Sequence, residues 1–442
     1  MASTVSITRQ FFERSTMENL DEHNIKIERM IILSAAFIAY LLAAFFIRSK
    51  MDVTRFDIPW SMQIVKHSFN LYNKHISPRV NYPPIIPLVL GLQGSLLQRL
   101  SNSFQLSSQL FKFLCNGFVK IPAIVSSFAF VFYLENQGKQ TKRKHWILIL
   151  LFLSSPALIM NIAVWGQFDV IMVITLFLAF YNSQTDRLHL AAFWMTVALL
   201  SKIQAIYFLP IFVLFLFRRY KISELIRPFL TASVTFLTVW LPFMIANHNL
   251  FLPIKLYFSA AARYSTINDH AFNLWSIFYP YSVKLVPSLN DSFLFGISFR
   301  ALNIMLLLVI LTIIILAICK WHMPINQALF LYSLWIFTFT MQQHERYEIT
   351  SLAFIFLIFM FQDRTKFVDL VIFEALNVLI LLNQLNVYLV RSLSIGFSEP
   401  LVLFLSLFSV ALTVYISGYL ILQNRSAHID HHHKSKEYLS EI

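Results

Sequence analysis

Long apolar runs separated by short polar inserts fill most of this chain. Taken in turn, the runs place helices near 29–48, 118–135, 146–163, 169–182, 189–200, 204–217, 229–246, 300–319, 325–341, 349–361, 367–384 and 401–422. That predicts an all-α polytopic membrane protein of about twelve transmembrane helices. Several runs fall short of the ~20 residues that a straight crossing needs, so their ends are loose. A further stretch, "PPIIPLVLGLQGSLLQRL" (83–100), is apolar enough to span, but Gln93, Gln98 and Arg99 interrupt it. It reads better as an interfacial or re-entrant helix in the first outer loop.

The inserts divide into two sets when alternate connections are grouped. One set reads "KQTKRKH", "TDR", "RRYKISELIR", "KWH", "QDRTK" and the tail "QNR". Lys and Arg near span ends favour the cytoplasm, which puts this set and both termini inside. The chain then divides into a cytoplasmic segment 1–28, a membrane domain 29–422 and a cytoplasmic tail 423–442. The outer set holds the first loop (49–82), "WGQFD" (165–169), "SKIQ" (201–204), a large loop (247–299), "QQHERYE" (342–348) and "RSLSIGFSEP". The first loop breaks the charge trend, since it carries Lys50, Arg55, Lys66, Lys74 and Arg79.

Composition narrows the class further. The 442 residues are 57% hydrophobic and only 13% charged, about half the charge of a soluble domain. The polar start has no cleavage site before the first apolar run, which is expected to stay as an anchor. Cys115 and Cys319 sit in or beside apolar runs and give no disulfide or metal framework. Eight Gly in the whole chain leave no phosphate-cradling loop, and neither HExxH nor a nucleophile elbow is present. The His-rich end "HIDHHHKSKEY" reads as a solvated, disordered tail.

The unusual polar residues fall on the outer set: Asp52, Asp57, Tyr82-Pro83-Pro84, Gln167, Asp169, Lys202, Gln204, Asn273, His344, Glu345 and Arg346. Ionisable groups at membrane depth are costly and face a cavity or a partner. Six chain-distant clusters on one side therefore predict one site built on the loops of a helical scaffold. Each has a plainer reading beside it. Trp165 can be an interfacial anchor with Asp169 capping the next helix. Lys202 can snorkel to headgroups. Glu345 and Arg346 can pair with neighbours, and "NYPP" by itself marks a helix start.

In order, "MDVTRFDIPW", "NYPP", "NIAVWGQFDVI", "SKIQAIYFLP", "AFNLW" and "QHERYEI" resemble the polytopic glycosyltransferases of the C-type superfamily (GT-C), over positions 52 to about 350. The likeness is to bacterial proteins related to the GPI-anchor mannosyltransferases, and more distantly to dolichyl-phosphate-glucose-dependent glucosyltransferases. Two departures stand out: Ile203 follows Lys202 where the family often has Pro, and Asp52 and Asp57 are separated by four residues. The resemblance implies inverting transfer of a hexose (mannose, glucose or galactose type) from a polyprenyl-phosphate donor. The acceptor would be an extracytoplasmic glycan or polymer.

Such chemistry needs a carboxylate to take the acceptor's proton, cations for the phosphate and an apolar groove for the tail. Asp52 is favoured over Asp57 as base. Arg346, with Lys202 or a basic first-loop residue, suits the phosphate. His344 and Glu345 would orient Arg346 or the sugar, and Gln167, Asp169, Gln204 and Tyr82 would line the donor site. The expected protein is a multi-pass cell-membrane enzyme working outside, with no cofactor, no metal ligand set and no nucleic-acid partner; some of the enzymes it resembles bind a divalent ion at the first-loop acids. A lipid-linked oligosaccharide flippase, or a glycan polymerase using the 247–299 loop, is the alternative.

Overall fold

The computed structural model describes residues 27–50, 52–73, 75–76, 80–137, 142–263, 265–280, 287–362 and 366–440. Most of segment 1–28, expected to be cytoplasmic, lies outside the described residues together with Lys74 and Arg79. The chain is almost wholly helical. The one small sheet among the described residues is a hairpin in the large loop, β1 (Ser292–Leu294) against β2 (Ile297–Ser298).

Each apolar run becomes a helix, but the runs are of two kinds. Among the described residues six helices are long and apolar enough to cross a membrane: α1 (Ile27–Phe46), α4 (Ser108–Gln137), α10 (Ile222–Ala246), α13 (Phe299–Cys319), α16 (Phe367–Leu393) and, over Glu399–Asn424, α17 (Glu399–Ser440). A seventh candidate, a broken span or a re-entrant loop, is α5 (Lys142–Ser154) continued through α6 (Pro156–Ile159) and a π-helical turn (Met160–Trp165), bent by 49° at the break. Four more helices are apolar but short: α7 (Asp169–Gln184), α8 (Leu188–Ser201), α14 (Ile325–Phe339) and α15 (Thr350–Phe361).

Among the described residues, six or seven helices are long and apolar enough to cross by length and composition, fewer than the twelve expected from the runs. Sixteen residues of α7 reach about 24 Å, short of the ~30 Å hydrocarbon layer. The physical reason is burial. Most side chains of α7, α14 and α15 lie inside the protein, in one core with Phe177, Phe180, Phe330, Phe354 and Phe359. Their apolarity serves neighbours, whereas α10 and α13 turn Phe229, Val234, Leu241, Met305 and Leu308 outward. An exposed apolar belt of that extent, over several long helices, belongs to a protein embedded in lipid.

The 83–100 stretch forms α3 (Ile85–Phe104), which is not among the long spanning helices. It packs on α2 (Ile58–His67), and Gly91 and Gly94 allow the close approach. A Cβ at Gly91 would lie 2.3 Å from Ile64 Cγ2, and one at Gly94 2.7 Å from the Ser61 carbonyl. The tail also departs from expectation, since α17 stays helical to Ser440; "HIDHHHKSKEYLS" holds no Pro or Gly to stop it.

Several of the described connections meet at one or the other end of the bundle. At one end Arg219 pairs with Asp186 at 2.9 Å, and Arg218 donates to the Ile318 carbonyl at 2.9 Å. At the other, Lys50 donates to Ser392 O at 2.9 Å and Tyr388 to Arg48 O at 3.0 Å. This second end carries the polar inserts.

Candidate functional site

The end of α1 is fixed by one face of α4. Asn116 and Lys120, one turn apart, both donate to the carbonyls of Ala44 and Ile47 that α1 leaves without helical partners, at 2.6–3.1 Å. Asn116 also accepts from Ser49 N at 3.3 Å. The chain then enters a π-helical turn, Val53–Asp57, directly ahead of α2. Such turns are rare and recur at functional sites. The second one, Met160–Trp165, ends at Gly166 with φ +83°. A Cβ on Gly166 would lie 2.6 Å from Val53 Cγ2 and 3.0 Å from Lys120 Cγ. "WGQFD" is thus clamped to the first loop, and Trp165 Nε1 donates to the Asp52 carboxylate.

Behind that junction runs a buried row of acidic and basic side chains. His344 Nε2 lies 3.8 Å from Asp269 and its Nδ1 3.6 Å from Glu345. Glu345 pairs with Arg346 Nη1 at 2.5 Å, and Arg346 Nε faces Asp169 at 3.5 Å. Asp169 ends the row with an ion pair to Lys202 and accepts from Asn161 at 3.2 Å. Burial alone would raise Glu345; Arg346 and His344 outweigh it and hold the carboxyl well below its usual range. Burial opposes the charge on Arg346, yet Glu345, Asp169 and Asp52 keep it firmly protonated. Burial lowers Lys202, with Asp169 resisting.

In front of the row opens a cleft of about 540 Å³. Asp52, Asp57, Trp60, Tyr82, Lys202, Gln204, Arg346 and Tyr347 line its polar part. Ile206, Phe258, Ile304 and Leu307 line the rest, and the first three of these are exposed. Asp57 is 4% exposed. Burial, and after it the Asp52 carboxylate, raises Asp57 well above the usual range, against the pull of Lys202 and Arg346. The Gln204 carbonyl oxygen is buried without a hydrogen-bond partner, a group that a ligand hydroxyl would satisfy.

Of the residues singled out in the sequence, Asp52, Asp57, Tyr82, Lys202, Gln204 and Arg346 share the cleft wall. Asp169, Glu345 and His344 stand behind it in the charged row. Asp169 is thus a counter-ion to two cations, where a ligand contact was expected. Gln167 is buried off the cleft lining, its backbone N–H bonded to Asn161 O at 2.8 Å. Asn273 braces the large loop, donating to Phe337 O at 3.1 Å and accepting from Trp275 N and Ser276 N.

The plainer readings also resolve. Trp165 is 1% exposed and Lys202 2%, so neither is an interfacial anchor. Asp57 precedes Pro59 at the start of α2 but makes no side-chain cap, and Asp169 does not cap α7. Four participants escaped the sequence reading: Asn161, Asp269, Trp60 and Arg300. Arg300 had a signal, being the sole charge in the α13 sequence. Asp269 had none, because its partner His344 lies 75 positions on and pairs only through the fold. Among the described residues no three His, Cys, Asp or Glu side chains converge as metal ligands. No protein-family model and no curated protein matches this chain.

Proposed function

We propose that this membrane protein is an inverting glycosyltransferase of the GT-C type. It would move a hexose from a polyprenyl phosphate to an extracytoplasmic glycan or polymer. The observation that carries the reading is the cleft: two first-loop carboxylates face two buried cations, and the same cavity continues into an apolar wall open to lipid. That combination suits a substrate with a sugar, a phosphate and a long hydrocarbon tail.

In this reading Asp52, steadied by Trp165, takes the proton of the acceptor hydroxyl as its oxygen attacks the anomeric carbon. The bond from that carbon to the phosphate oxygen breaks, the electron pair leaves with the polyprenyl phosphate, and the configuration inverts. Asp57, with its raised affinity for a proton, serves as a hydrogen-bonding neighbour of Asp52. The Gln204 carbonyl accepts from a sugar hydroxyl. The charged row holds Arg346 and Lys202 in place before substrate arrives, which is the preorganisation that makes electrostatic stabilisation effective.

The polar groups collect at helix ends rather than along the middle of the bundle, which favours a transferase over a flippase. The test is the lipid-linked sugar pool of cells lacking the protein. Accumulation of a polyprenyl-phosphate hexose on the outer leaflet, with loss of that hexose from a surface glycan, is the expected result. Accumulation confined to the inner leaflet would mark a flippase.

A further inference from the structure

Both cations of the cleft floor are already neutralised. Lys202 is ion-paired with Asp169 and Arg346 with Glu345, and these carboxylates are buried beside them. A phosphate placed there would meet a nearly balanced array, with the Asp52 carboxylate against it. The cleft has a third cation, at its apolar end. Arg300 lies on the same face of α13 as Asn303, Ile304 and Leu307, at helical spacings of three, four and seven, and all four line the cavity. Its Nε donates to Asn290 Oδ1 at 3.1 Å, which fixes the guanidinium plane. Among the described residues no carboxylate lies within ion-pair distance of Arg300, and its two terminal nitrogens have no hydrogen-bond partner.

Its position matches an amphiphile. Ile304 and Phe258 are 52% and 75% exposed, so the portal beside Arg300 opens sideways onto the apolar belt. A tail held along this wall would leave its phosphate at Arg300 and its sugar toward Gln204, Tyr82 and Asp52. We propose that Arg300, rather than Arg346, is the first phosphate-gripping residue for an isoprenoid phosphate entering laterally between the Ile203–Phe208 turn and α13. This rests on the transferase reading for the sugar, but the phosphate contact stands on its own. A planar guanidinium offers two parallel donors to phosphate where an ammonium offers a point charge.

The test uses full-length protein in nanodiscs of neutral phosphatidylcholine. Affinity is measured for a polyprenyl phosphate, the matching polyprenol and inorganic phosphate. The wild type should bind the lipid phosphate at least tenfold tighter than the alcohol. Arg300→Gln should bring the two lipids within about twofold of each other with alcohol binding unchanged, which also shows an intact cleft. Arg300→Lys should keep part of the gap, and it serves if Arg300→Gln does not fold. A gap that Arg300→Gln and Arg300→Lys leave at its wild-type size overturns the proposal. Inorganic phosphate binding as tightly as the lipid phosphate overturns the lipid assignment. A wild type that shows the gap but transfers no hexose removes the transferase reading and leaves Arg300 in place. Active transfer with a gap that ignores Arg300 does the reverse.

Discussion

Asp52 and Asp57 sit one π-helical turn apart and meet different surroundings. Asp52 accepts from Trp165 at the cleft wall, whereas Asp57 is buried and pushed well above the normal carboxylate range. A folded-state value above the unfolded ~3.9 means the folded protein holds the extra proton. The stability that goes with it is complete below the unfolded value and is lost as pH rises through the folded one. Asp57→Asn, permanently neutral, removes that loss. Its unfolding midpoint should fall less than the wild type's as pH rises above the unfolded carboxylate value, measured by thermal unfolding in detergent. Parallel pH profiles would show that Asp57 is not held protonated. At this scale the residue types were legible and their pairings were not. Lys202 and Asp169 were both singled out, but only folding brings positions 33 apart into one ion pair.

The elements show what a pattern of apolar runs can and cannot carry. Every run marked a helix, because uninterrupted apolar sequence has no other way to satisfy its backbone. Which helices are long enough to cross was not legible, since α7 and α15 turn most of their apolar side chains into the protein while α13 leaves many of its own exposed. The junction between elements was equally hidden. "WGQFD" looked like a turn, and its Gly166 gave no hint that Val53 and Lys120 press against it. Gly166→Ala meets both a positive φ, costing roughly 1–2 kcal/mol for a non-glycine residue, and the Val53 side chain. It should lower the unfolding temperature and uncouple Trp165 from Asp52, with activity falling at least tenfold. The same exchange at Gly296, also at positive φ but with open space around it, should be far milder. Equal effects at both sites would mean the clamp has no role in function.

At the scale of the whole molecule, several described connections meet at two ends, and the proposed function requires the end with the cleft to face outside. Cysteines at the exposed positions Ser68, Ser292 and Ser394, in a background lacking Cys115 and Cys319, should react with an impermeant thiol reagent in intact cells. One at exposed Ser223 should stay silent until the membrane is opened. The reverse pattern would turn the protein over. The central claim is narrower: that a first-loop carboxylate in this cleft performs sugar transfer. The direct measurement is hexose transfer from a polyprenyl-phosphate donor by purified protein in proteoliposomes, with wild type, Asp52→Asn and Asp57→Asn side by side and donor binding recorded for each. Asp52→Asn should lose about 10²–10⁴-fold in rate while binding donor nearly as before, and Asp57→Asn should keep most of its rate. Full transfer by Asp52→Asn would contradict the account.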